Sequence, residues 1–352
     1  DTPLKGSPLG WPCSPEDLFV TEDGAPVRID KAFSWEYPLA VHGLMHNVIT
    51  NAWRGDPYPI DTLFIFMSNL AWNSSMNTSK VREMLVDKDE GGEYKIPFIV
   101  VCDAFSSETV QFADLVLPDT TYLERHDVMS MLDRPISEYD GPVDSVRVPI
   151  LPVKDGCKPF QDVVVELASR LKLPKFTNDD GTRKFKDYPD FVINYETAPD
   201  SGVGFLSGWR GKDGTKSLKG EPNPKQWEMY AANNCFHHYV MPKEHQYMRN
   251  FNRGYQEWAV EMGFLTQVEP LTLAIYCEDL QHFKLAAEGK REGRQPPDAL
   301  RDRIKTYFDP LPFYYRPLEE NLSDLNKFPL NAVTQRPMAM YHSWDSQNAW
   351  LR

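Results

Sequence analysis

The chain is predicted to be an α/β protein: a parallel, Rossmann-like sheet with crossover helices, an aromatic helical region, and the start of a C-terminal β-barrel domain. Three observations carry the prediction. Between Ile96 and Glu124 a β-rich run, Phe98 to Cys102, stops abruptly at Asp103, and after a polar loop a second run, Ala113 to Leu117, stops at Pro118. Ahead of them, apolar residues at helical spacing alternate with a further strand-like run, giving the order helix, strand, helix, strand, loop, strand. In an open sheet of this kind, small polar groups beyond the carboxyl ends of buried strands are where nucleotide-like ligands bind.

The elements follow in order. Residues 1–36 are rich in Pro and Gly and read as an irregular lead-in. Tyr37 to Trp53 has Leu39, Leu44, Met45, Val48, Ile49 and Trp53 at roughly helical spacing, and Gly55-Asp-Pro-Tyr-Pro59 ends it. Ile60 to Met67 is a strand, and Thr78 to Val86 a helix capped by Asn77 or Thr78. Phe160 to Leu171 is amphipathic with an acidic residue in its first turn. These make a Rossmann-like domain over 37–175. A helical, loop-rich connection is expected over 176–327: a surface excursion from 174 to 225, an aromatic helical stretch from 226 to 263, and a helix from 298 to 308. The Pro-rich FDPLPFYYRP then leads to a last strand, Phe328 to Thr334, and the barrel domain starts within 328–352.

Composition excludes several classes. A net charge of −13 argues against a nucleic-acid binder, which needs a basic face. No apolar run approaches the ~20 residues that span a bilayer, so any membrane association is expected to run through partner subunits. The five cysteines form no C-x-x-C pair and suit reduced thiols better than a disulfide framework or a metal cluster. Phosphate-loop, dinucleotide-fingerprint and nucleophile-elbow motifs are all missing, which removes the main support for those enzymes. The chain begins at Asp1 and ends at Arg352 without punctuation, and is expected to be an internal fragment of a longer protein.

The candidate site residues each have a plainer use. Asn69, Asn73 and Asn77 can both donate to and accept from a heterocycle edge, but Asn is also common in turns and caps. Cys102-Asp103 ends a strand, where a carboxylate can meet a guanine or ribose edge or simply fix a loop; Ser106, Ser107 and Thr109 follow. Glu124, Arg125, His126 and Asp127 read first as a salt-bridged corner. His42 and His46 have i, i+4 spacing without a third ligand, so no metal ligand is assigned, and no catalytic residue either. The segment TQRPMAMYHS at 334–343 gathers hydroxyls, a guanidinium, an amide and an imidazole, a set suited to anions and heterocycles.

Together these pieces resemble the molybdopterin oxidoreductases of the dimethyl-sulfoxide-reductase superfamily. FADLVLPDTTYLER (112–125) resembles the family's strand-and-loop motif, MSNLAWNSSMNT (67–78) its Asn-bearing loop, and TQRPMAMYHS the start of its C-terminal barrel. DRPISEYDGPVDSVRVP, GFLSGWRGKDG, NPKQWEMYAANNCF and YCEDLQHFKLAAEGK resemble the catalytic subunits of its sulfur-compound branch, the sulfite dehydrogenase and polysulfide, thiosulfate and tetrathionate reductase group. The resemblance implies a molybdenum cofactor carried by two molybdopterin guanine dinucleotides. It also implies a [4Fe–4S] cluster held upstream of this chain, and a small inorganic sulfur substrate, most simply sulfite. The implied partners are a ferredoxin-like iron–sulfur subunit, with a membrane quinone-reactive subunit beyond it. By position it assigns cofactor contact to Asn69 or Asn73, to Cys102, Asp103, Thr109 and Arg125, to Gln161 or Asp162, and to Thr334, Gln335, Arg336, Tyr341, His342 and Ser343. It implies a cytoplasmic, membrane-associated complex, with the periplasmic face left open, and a fragment inactive alone. The rival reading is a non-catalytic α/β domain that binds a nucleotide or a protein, with the aromatic 226–263 stretch as interface or core.

Overall fold

A computed structural model describes residues 12–40, 43–72, 77–130, 143–195, 206–216, 220–240, 245, 253–261, 267–268, 276–316 and 324–330. Its contacts divide the chain into two units, one of residues 1–63, 69–98 and 274–352, the other of residues 64–68 and 99–273.

In the first unit, helix α1 (Val48–Arg54) ends where Gly55 takes φ 66°, a left-handed conformation that a residue without Cβ adopts freely. Strand β1 (Thr62–Phe66) starts here. Helix α2 (Thr78–Val86) buries Val81, Met84 and Leu85, at i, i+3 and i+4, and packs on α1. Trp53 of α1 donates its indole N–H to Asp87 at 2.6 Å, fixing the end of α2. Helices α7 (Glu278–Ala287) and α8 (Asp298–Tyr307) pack together farther along the chain. Leu18, Val20, Trp35, Phe283, Ala286, Ala287 and Ile304 form their core, with Trp35 and Phe283 edge to face.

The second unit holds most of a three-stranded sheet, ordered β1, β2 (Phe98–Asp103) and β3 (Leu115–Pro118). Strand β2 is buried from Ile99 to Cys102, the continuous apolar run a central parallel strand needs. It pairs in parallel with β3, Val100 beside Leu115 and Asp103 beside Pro118. Only a 3-10 turn, Glu108–Phe112, occupies the connection. Asp114 secures the register: its carboxylate accepts from the Ile99 N–H at 2.7 Å and its own N–H donates to the Ile99 carbonyl at 2.8 Å.

A second sheet, antiparallel, comprises β4 (Asp127–Ser130), β5 (Val143–Arg147) and β6 (Phe236–His238). Helices α3 (Phe160–Arg170), α4 (Tyr188–Asn194), α5 (Gln226–Ala232) and α6 (Arg253–Glu261) complete the unit. Val146, Val192, Ile193, Leu206, Trp227 and Tyr230 form its core. The same unit holds a buried carboxylate, Asp144, which accepts the hydroxyls of Tyr239 at 2.8 Å and Tyr230 at 3.2 Å and the Ser207 N–H at 3.2 Å. A Cβ at Gly208 would run into the His237 ring, so glycine is needed there.

Several expectations need correction. The helix expected over 37–53 is only a 3-10 turn at Met45–Asn47 followed by α1, because residues 37–40 bond in turns instead. The excursion over 174–225 contains α4, capped by the Asp187 carboxylate on the Asp190 N–H at 3.0 Å. The aromatic stretch contributes a strand, β6, as well as helices, and the antiparallel sheet was not foreseen. Residues 328–330 are exposed and not a strand, and the rest of the expected last strand and barrel start lies outside the described residues.

Candidate functional site

The second unit gathers polar groups beyond the carboxyl ends of the parallel strands β2 and β3. At the end of β1, Met67 has a left-handed φ of 44°, uncommon for a side chain of this length, and its N–H donates to the Cys102 carbonyl at 3.1 Å. At the end of β2, Cys102 is fully buried, and burial together with the neighbouring Asp119 and Asp103 charges pushes its thiol up to about 12. Asp103 is half-buried, and its carboxylate accepts from the Phe105 N–H at 3.0 Å. Burial raises Asp103 above the ordinary carboxylate range; the backbone donors Phe105 and Ala104 oppose the rise, and Asp119 adds to it.

At the end of β3 stands Asp119, which the sequence reading missed. Its N–H donates to the Asp103 carbonyl at 3.0 Å, continuing the β2–β3 pairing by one residue. Its Oδ2 accepts from Arg125 Nη1 at 2.6 Å and its Oδ1 from the Phe160 N–H at 2.9 Å, the first N–H of α3. Arg125 turns its Nε to Asp127 at 3.1 Å, and Arg147, which pairs with Asp127 across β4 and β5, reaches the same carboxylate at 2.9 Å. The Tyr122 ring lies under both guanidinium groups, 5.1 Å from Arg125 and 4.4 Å from Arg147. Of the salt-bridged corner expected at Glu124 to Asp127, the Arg125–Asp127 pair is present and is joined by Asp119 and Arg147, while Glu124 accepts from the Thr121 N–H at 2.8 Å instead.

The first turn of α3 closes the cluster. Gln161 donates Nε2 to Asp127 Oδ1 at 2.6 Å, while its amide oxygen is buried and has no hydrogen-bond partner among the described residues. Asp162, raised by burial, accepts the Tyr188 N–H at 2.7 Å. His126 lies edge-on to Trp227 at 4.9 Å, and burial lowers it from the ordinary imidazole value.

The structure thus brings Cys102, Asp103, Arg125, Gln161 and Asp162 into the second unit. Thr109 is buried in the turn between β2 and β3. Asn69 belongs to the first unit, where its carbonyl accepts the Trp72 N–H at 3.0 Å in a turn. Asn73, Thr334, Gln335, Arg336, Tyr341, His342 and Ser343 lie outside the described residues. The signal for Asp119 was available: it follows the Pro118 stop of β3 as Asp103 closes β2. Among the described residues no group of three or more His, Cys, Asp or Glu is placed to hold a metal, and no helix is long and apolar enough to cross a membrane.

A mixed α/β unit with polar groups beyond its strand ends is the frame of a cofactor-handling domain. Residues 58–169 match the model of the molybdopterin oxidoreductase family. Over all 352 residues it is 72% identical to a sulfite dehydrogenase subunit of Allochromatium vinosum, and it spans 36% of that relative's length. It is 28% identical over 152 residues to the thiosulfate reductase molybdopterin-containing subunit PhsA of Salmonella typhimurium, covering 42% of this chain and 18% of that one. The putative dimethyl sulfoxide reductase chain YnfE of Escherichia coli is 27% identical over 152 residues, covering 42% of this chain and 17% of that one. Among solved structures, acetylene hydratase from Pelobacter acetylenicus covers 81% of this chain and 28% of its own at 20% identity, with a TM-score of 0.42, too slight a likeness to bear on the argument.

Proposed function

We propose that this chain is the cofactor-handling part of the catalytic subunit of a molybdenum oxidoreductase that oxidises sulfite. The observation that carries the proposal is the 72% identity with a sulfite dehydrogenase subunit over the whole of this chain. The proposed cofactor is molybdenum held by two molybdopterin guanine dinucleotides. The proposed partners are a ferredoxin-like iron–sulfur subunit, with a membrane quinone-reactive subunit beyond it. A [4Fe–4S] cluster in the same polypeptide would link them to the molybdenum, in a cytoplasmic complex held at the membrane by its partners.

The residues at the strand ends suit a guanine dinucleotide end. A guanine edge offers two neighbouring N–H donors, and a half-buried carboxylate, Asp103, stands beyond β2 to accept them. The buried, unpartnered amide oxygen of Gln161 is a further acceptor with no other hydrogen bond to make. The cofactor, when bound, would supply the oxygen-atom and two-electron chemistry at its metal. This chain's residues would bind and orient it. Asp103 would fix the nucleotide edge, and Arg125, neutralised by Asp119 and Asp127, would hold the loop rigid instead of meeting a phosphate. No residue of the chain is assigned as acid, base or metal ligand.

The test is an assay of the protein purified from its native host for molybdenum, guanine nucleotide and sulfite-dependent dye reduction. Metal content with sulfite turnover supports the proposal. Full metal content with turnover of another sulfur compound only would overturn the substrate. Asp103→Ala is expected to lower the cofactor content, and full occupancy in that variant would count against the assignment of Asp103.

A further inference from the structure

We propose that Asp119 is the positioning residue of this site, the group that fixes Asp103, Arg125 and the first turn of α3 against one another. The proposal rests on the cofactor reading above and extends it to a residue that does not itself face a ligand.

Three bonds carry it. The Asp119 N–H on the Asp103 carbonyl, at 3.0 Å, locks the backbone beyond β2 to the backbone beyond β3. The Arg125 guanidinium on Oδ2, at 2.6 Å, locks the corner that precedes β4. The Phe160 N–H on Oδ1, at 2.9 Å, locks the start of α3, whose next residue is Gln161. Each segment alone is a loop or a helix end. Tied to one buried residue, two through its carboxylate and one through its backbone N–H, they hold Asp103 and the unpartnered Gln161 oxygen in fixed relation, as a binding site requires.

A second consequence is electrostatic. Asp103 faces Asp119 from the loop beyond β3, the Phe105 and Ala104 N–H groups from its own loop, and Cys102 on its own strand. Arg125 acts on Cys102 in the same cluster. Asp119 opposes ionisation of both Asp103 and Cys102. Removing its charge while keeping its shape should ease both groups toward ionisation, an effect that a merely structural role would not produce.

The experiment compares the parent chain with Asp119→Asn in two measurements. The first follows the Asp103 carboxyl by carbon NMR between pH 2 and 8, with no ligand present. The second measures guanosine monophosphate binding at neutral pH. The expected result is a downward shift of the Asp103 midpoint together with binding weakened about tenfold or more, the scale of a misplaced charged hydrogen bond. An unmoved Asp103 midpoint, or unchanged binding in a variant whose parent binds, overturns the inference. A parent that binds no guanosine monophosphate, with the Asp103 midpoint still moving, overturns the guanine assignment and leaves the coupling of Asp119 to Asp103 standing. Should Asp119→Asn fail to fold, the double variant Asp119→Asn/Arg125→Gln leaves no unpaired buried charge and carries the same two measurements.

Discussion

Arg125 Nη1 meets Asp119 Oδ2 at 2.6 Å with the two side chains only 5% and 0% exposed, so a full ion pair lies inside the second unit. Such a pair is held in place by what its loss would leave behind. Arg125→Ala strands the Asp119 carboxylate in the interior and is expected to cost about 3–5 kcal/mol of stability in urea unfolding. A loss below about 1 kcal/mol, the range of surface pairs, would contradict the burial.

Asp30 gives the first unit an acid-sensitive anchor. Its carboxylate accepts two bonds from Arg28, at 2.9 and 2.8 Å, and the N–H groups of Ala32 at 3.1 Å and Leu44 at 3.0 Å. Burial pushes it up, but these donors outweigh burial and hold it at about 2, below the ordinary 3.8. A depressed carboxylate stabilises the fold above its unfolded value and ceases to as the pH falls through its folded value. The stabilisation, about 2 kcal/mol, is therefore present above pH 4 and lost by about pH 2. Asp30→Asn should flatten the stability profile across that window, and a variant with the parent's profile would refute the assignment.

The Asp144 knot should show in the neutral-pH stability. Tyr239 and Tyr230 donate to the same buried oxygen, and Asp144 raises both tyrosines as burial does. Tyr239→Phe removes the shorter bond and leaves its acceptor with fewer partners, at an expected cost of about 1–3 kcal/mol. Equal denaturation midpoints for parent and variant would show that the bond contributes nothing.

His126 should make the second unit lose stability under mild acid. Burial keeps its imidazole neutral below its ordinary value of 6.5, despite nearby Asp187, Asp162 and Asp127. The unfolded chain takes up the proton first, so stability falls as the pH drops through about 6.5. His126→Gln should remove that part of the slope between pH 7 and 5, and a slope unchanged by the substitution would assign it elsewhere.

Much of the sheet was legible because β2 announces itself. Four buried apolar residues in a row, ended by a polar residue, read as a central parallel strand, and α2 and α3 follow from apolar residues at i, i+3 and i+4. The antiparallel sheet was not legible. Strand β5, Val143-Asp-Ser-Val-Arg147, buries Asp144 toward Tyr230 and Tyr239, residues 86 and 95 positions away, so its inward face does not look apolar in sequence. Helix α7 was missed because its amphipathic pattern is shallow, with Phe283, Ala286 and Ala287 as its buried face. In the site, Asp103 was read from its place at a strand end. Asp119 was not, because its importance comes from a partner brought by α3, and Asp127 was read only as part of a salt-bridged corner, without the partners that α3 and β5 bring to it.

The strand ends of the second unit are proposed to handle a molybdopterin cofactor. The most direct measurement is the molybdenum and guanine-nucleotide content of the natural protein, purified from a molybdenum-replete host, beside that of its Asp103→Ala variant. Molybdenum and pterin guanine dinucleotide are expected in the parent, with a clear loss of both in the variant. A parent free of molybdenum and guanine nucleotide would contradict it and return the chain to the non-catalytic binding-domain reading.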